Sequence, residues 1–220
     1  MEKTIAVRGT GSVSVKPDVT VISMTLRSLD KNYDKAMAKA AAEKDALEKA
    51  LAAVGFLPDD IKTVSFNVSA EHESVRGKDG TYKNVFKGYA VTHALRLTFD
   101  FDTKRLSETL SAVAASVADP DLSIRFTVKD KTAAENALLE DAAKNAREKA
   151  EVLAAASGAR LGELLSISYR FEGKDMMSRT QYGMDTMCLA KANRAAAPSV
   201  APEDIDLTDE ASFVWAILQR

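Results

Sequence analysis

The sequence predicts an α+β fold in which antiparallel sheets are packed by two long helices and one shorter helix. Three observations carry that prediction. Several stretches alternate apolar and polar residues with the two-residue period of a strand. Three others repeat their apolar residues at helical spacing. The strand-like stretches in the middle arrive as a neighbouring pair joined by turn residues, which is the order of an antiparallel hairpin.

Residues 4 to 15 and 18 to 29 both alternate, and Lys16-Pro17 marks the turn between them. In the second stretch Thr20, Ile22, Met24, Leu26 and Ser28 share one face, with Val19, Val21, Ser23, Thr25 and Arg27 on the other. From Asn32 the period changes: Ala36, Ala40, Leu47, Leu51 and Val54 form a stripe, and Gly55 stands where a helix-stopping glycine belongs. "IKTVSFNVSAEHESV", with Val64, Phe66, Val68 and Ala70 on one face, and "VFKGYAVTHALRLTFDFD" then read as a long hairpin turning at "RGKDGTYKN". Lys104 to Ala118 carries Leu106, Leu110, Val113 and Val117 as a shorter helix ended by Asp119-Pro120, and the strand "LSIRFTVKD" follows. Asp130 to Ser157 is the second long helix, its inner stripe Leu138, Ala142, Ala146, Ala150 and Leu153, its stop Gly158. Alanine at successive turns lets a helix approach a sheet closely. A strand at 163 to 171 comes next, then an irregular arm at about 172–206, then a closing strand at about 208–219, "EASFVWAILQR", apolar on both faces and so expected to be buried. The chain is thus read as a single domain, 1–220. "ISMTLRSLDK" and "LSIRFTVKDK" each lead into a long helix stopped by glycine and then a strand, so a duplicated strand-helix-strand unit competes with chance similarity of amphipathic helices.

Composition narrows the function. A chain of 220 residues with 46% hydrophobic and 28% charged content folds around a substantial core. Its net charge of −2 gives no global pull toward nucleic acid, and it has no run of apolar residues long enough to span a membrane. The single cysteine, Cys188, excludes an internal disulfide framework. "MEKTIAVRG" lacks the apolar core of an export signal, which reads as cytoplasmic as written, or periplasmic or secreted if a signal peptide has been removed.

Gly9-Thr10-Gly11 invites a phosphate-loop reading, but such a loop needs a third glycine and a helix start, whereas Ser12 to Val15 continue the strand alternation. No cofactor is expected. His72 and His93 fall on the two strands of the long hairpin, where two imidazoles and a carboxylate would suit zinc only if the register brought them together. Glu71 and Glu73 flank His72 but point to the opposite face. No serine sits in a nucleophile elbow, and Cys188 has no histidine near it in sequence, so hydrolase chemistry has little support. The paired carboxylates at 58–60, 100–102 and 202–204 sit where turns and helix starts favour them.

The segment "MMSRTQYGMDTMCLA" is less ordinary. Met176, Met177, Met184, Met187 and Cys188 gather soft sulfur that would suit Cu(I). Together with Tyr182 and Leu189, the methionines also make an adaptable apolar surface for an oligomer or protein partner, which is the preferred reading. Arg170, Arg179 and Arg194 nearby could meet an acidic partner.

The chain resembles the SIMPL domain family, a group that includes periplasmic immunogenic proteins, through "IAVRGTGSVSVKPDVTVISMTL", "FKGYAVTHALRLTFDFD" and "AAKNAREKAEVLAAASGARLGELLSIS". The resemblance implies long helices on antiparallel sheet and relatives that form larger oligomers, and it brings no catalytic residues. The expectation is therefore a non-enzymatic protein, a homo-oligomer with a possible protein partner, acting through self-association or partner binding. The alternative is a soft-metal or small-ligand binder using segment 176–188.

Overall fold

A computed structural model describes residues 3–76, 82–170, 173, 175–184 and 201–219. In chain order the elements are β1 (Thr4–Val15), β2 (Val19–Asp30), α1 (Tyr33–Ala52), β3 (Ile61–Arg76), β4 (Tyr82–Asp100), α2 (Thr103–Ala115), β5 (Asp121–Thr127), α3 (Lys131–Ala156), β6 (Ala159–Ser168), β7 (Tyr182–Met184) and β8 (Ile205–Gln219). They form an α+β fold with two sheets. The described residues fall into two compact units, one drawn from Met1–Pro17, Thr127–Arg179 and Glu203–Arg220, the other from Asp18–Phe126 and Thr180–Pro202.

Each helix starts on a side-chain cap. Asn32, Asp102 and Asp130 accept hydrogen bonds from the backbone N–H groups of Lys35 (3.2 Å), Arg105 (2.7 Å) and Ala133 (2.8 Å), satisfying donors that a helix start leaves open. Gly55 and Gly158, at φ 89° and 73°, follow the two long helices in the left-handed conformation that glycine adopts without strain.

The second unit holds a five-stranded sheet in the order β3-β4-β2-β5-β7. Its first six elements run β2-α1-β3-β4-α2-β5, the split β-α-β arrangement of ferredoxin-like folds. Its core is built from large side chains: Ile22, Met24 and Leu26 of β2, Leu95 and Leu97 of β4, Leu47 and Leu51 of α1, and Leu106 and Leu110 of α2 are all buried together. Of the two faces that the alternation separates on β2, the one holding Thr20, Ile22, Met24, Leu26 and Ser28 is the inner one.

The first unit is a three-stranded antiparallel sheet, β1-β8-β6, carrying α3. β1 and β8 pair without interruption from Thr4 opposite Ala216 to Val15 opposite Ile205. Here the core is made by backbone proximity. Ala142, Ala146 and Ala150 are buried, and a Cβ placed on Gly9 or Gly11 would lie 2.0 Å from the Ala142 carbonyl oxygen or 2.1 Å from that of Leu138. The paired glycines serve the close approach of α3, as strand residues.

Several boundaries and faces differ from those read in the sequence. β6 spans Ala159–Ser168 and β8 begins at Ile205, and the small strand β7 (Tyr182–Met184) falls within the stretch read as an irregular arm. α2 ends at Ala115, which leaves Val117 exposed while Ala118 turns inward. On α3 the buried stripe advances strictly by four, so Ala154 is inside and Leu153 exposed. β8 buries one face only, Phe213 and Trp215 inward with Ser212 and Leu218 exposed. The duplicated unit has no common packing: β2 and β3 lie in one sheet, whereas β5 and β6 lie in different sheets.

Candidate functional site

The long hairpin of the second unit carries several exposed apolar side chains. β3 and β4 run past the part of the sheet that α1 covers, and there Val75, Tyr82, Val85 and Phe86 are exposed, Tyr82 at 70%. Register determines which side chains meet. Phe66 lies opposite His93, and His72 opposite Phe86 across a bulge between Glu71 and His72. Edge-to-face ring contacts then link His72 to Phe86 (5.6 Å), Phe86 to Tyr89 (5.2 Å) and Tyr89 to Tyr33 at the start of α1 (5.6 Å), while Phe66 meets His93 at 5.1 Å. The result is an aromatic row along one face of the hairpin. Such rings combine area with low conformational cost, which is why aromatic residues are enriched where proteins meet.

The two histidines are not brought together. Phe66, which lies opposite His93, and His72 are six residues apart on β3, so the two histidines stand about 20 Å apart at the strand rise. Glu71 turns to the other face and pairs with Arg27. His93 is buried, and its Nε2 shares a 2.9 Å hydrogen bond with the Thr63 hydroxyl. Burial holds its imidazole below the ordinary range, the charge of Lys44 adds to that, and Glu48 opposes it. Among the described residues no group of three or more His, Cys, Asp or Glu side chains could hold a metal ion.

Two of the carboxylate pairs serve local structure. Asp60 accepts from the Leu57 N–H at 2.8 Å around a one-turn helix, and Asp102 caps α2.

The methionine segment is placed in part. Met176 is buried among Val128, Ala134, Leu138, Ile205 and Leu207 of its own unit. Its carbonyl accepts from the Thr127 hydroxyl at 2.6 Å, and Met177 forms an isolated bridge with Thr127. Tyr182 packs against the core of the second unit, and the backbone of Met184 pairs with Leu122. Met187, Cys188, Leu189 and Arg194 lie outside the described residues. No periodicity marks Met176 as a core residue, so only its tertiary neighbours reveal it. Arg179 is exposed. Arg170 and Arg8 line a polar depression of about 500 Å³ on the outer face of the three-stranded sheet, where Arg8 pairs with Glu210 at 3.1 Å.

A second apolar surface, not anticipated from sequence, lies on β6. α3 rests mainly on β1, and a groove of about 450 Å³ opens beside it, floored by Leu161, Leu164, Ile167, Phe213 and Trp215 and walled by Ala143, Arg147 and Glu151. Leu164 and Ile167 are 45% and 57% exposed. The sequence signal was present in "ELLSIS"; what it lacked was the position of the helix.

Compared with known proteins, residues 5–215 match the model of the SIMPL family, described as a protein of unknown function (DUF541). No curated protein matches. The regulatory subunit of aspartate kinase from Thermus flavus is a solved structure that aligns at 10% identity over 96% of this chain and 89% of that one, with a TM-score of 0.17, a likeness that carries no argument.

Proposed function

The chain belongs to the SIMPL family, and we propose that it acts without catalysing a reaction, by associating with copies of itself or with a protein partner. The observation that carries this reading is the aromatic row of the β3–β4 hairpin. Phe66, Tyr82 and Phe86 of the hairpin and Tyr33 at the start of α1 are between 39% and 70% exposed, and the hairpin's outer strand β3 is a sheet edge. Contiguous apolar surface of this kind is unfavourable in water and marks interaction sites, and an edge strand adds unpaired backbone donors and acceptors.

The test is the mass of the purified chain by light scattering across a concentration series, repeated on Phe86→Ser and Tyr82→Ser. Association is expected in the parent or with a captured partner, and each substitution should weaken it about tenfold, the effect of truncating an aromatic contact worth ~1–2 kcal/mol. Association unchanged in both variants removes the hairpin from the reading, and a parent that stays monomeric and captures nothing refutes it.

A further inference from the structure

The two edges of the three-stranded sheet are built differently. On β1 the edge is capped from α3: Asp141 accepts from the Ser12 N–H at 2.9 Å, Asn145 from the Thr10 N–H at 3.1 Å, and Lys149 donates to the Arg8 carbonyl at 3.4 Å. Four helical residues rise about 6.0 Å and two strand residues about 6.7 Å, so successive turns of α3 meet successive outward backbone groups of β1. A strand cannot add there without displacing those side chains. β6, the other edge, has β8 on one side, and its sequence ARLGELLSIS contains neither the lysine nor the proline that commonly blunts an edge.

We infer that β6 pairs with β6 of a second copy, antiparallel across a twofold axis at Leu164; this rests on the self-association reading above and names the partner. Leu161, Leu164 and Ile167 register with Ile217, Trp215 and Phe213 of β8, which puts all three on the helix side, on the floor of the groove. Their spacing is symmetric about Leu164. In the twofold pair Leu164 faces itself and Leu161 of each copy faces Ile167 of the other, so apolar side chains meet on the helix side of the seam, while Glu163 stands opposite Leu165 and Gly162 opposite Ser166. The register shifts of β6 fall between Leu161 and Leu164 and between Leu164 and Ser166, on either side of the axis, so each irregular stretch meets its counterpart. A twofold interface is self-complementary and closes. The capped β1 edges at both ends of the joined sheet then stop further strand addition to that sheet.

The experiment uses the full chain with Cys188→Ser. Leu164→Cys places one cysteine on the axis, where directly opposed Cβ atoms lie about 4.5–5.5 Å apart, and mild oxidation should couple it to itself; Thr10→Cys on the capped edge should not couple. Ile167→Lys, at a position already exposed, should lower the particle mass about twofold with circular dichroism unchanged. An oligomeric parent in which Leu164→Cys does not couple overturns the β6 pairing and leaves self-association standing, whatever Ile167→Lys does. A parent that is monomeric at every concentration overturns both.

Discussion

The two units bury their helices by opposite means. In the second, large side chains fill the space between helices and sheet, with Ile22, Leu47, Leu51 and Leu97 fully buried. In the first, α3 is drawn down until its carbonyls lie over Gly9 and Gly11, and alanines fill what remains. The difference teaches that one fold can hold a core that fails by losing volume and another that fails by gaining it. Close approach also has a structural return, since only a helix lying that near can reach the β1 edge with Asp141 and Asn145.

Removing volume from the second unit should have the largest effect. Leu97→Ala leaves a cavity and should cost about 2–5 kcal/mol by denaturant unfolding, whereas Leu153→Ala on the exposed side of α3 should stay within about 0.5 kcal/mol. Adding volume to the first unit comes next: Gly9→Val sets a side chain against the Ala142 backbone and should cost about 1–3 kcal/mol or more. If Gly9→Val proves harmless, α3 does not approach as closely as described and the contrast between the units collapses.

A smaller change sharpens the comparison at the edge. Asn145→Ala removes the acceptor of the Thr10 N–H, and because water can replace it, stability should fall by only about 0.5–1 kcal/mol. Amide exchange at Thr10 should nevertheless accelerate while that at Ser12, held by Asp141, is unchanged. Equal acceleration at both would mean that the helix turns do not cap the edge independently.

The smallest expected effect is a pH dependence confined to the second unit. The folded pKa of His93 lies below the unfolded value near 6.5, so between the two the unfolded chain binds more protons. The stability contributed by neutral, buried His93 is therefore fully present above about pH 6.5 and is lost as the pH falls through the folded pKa. His93→Phe should flatten that part of the stability profile, measured by unfolding between pH 4 and pH 8 (roughly, the span that brackets a histidine); an unchanged slope would show that another group titrates there.

What the sequence by itself determined is what local chemistry controls. The caps Asn32, Asp102 and Asp130 and the stops Gly55 and Gly158 act through their own backbone neighbours, so the helices could be placed from them. The alanine stripe of α3 marked its buried face, because a helical period of apolar side chains suffices for that, whereas the alternation of β2 separated its two faces without saying which is buried. The tertiary structure alone decided which strands share a sheet, that Met176 belongs to a core, that His72 and His93 stand apart, and that β1 is capped while β6, among the described residues, has only β8 as a strand neighbour. Each of these depends on register or on contacts between residues far apart in the chain, and a one-residue change of register would exchange the faces while leaving every local pattern intact.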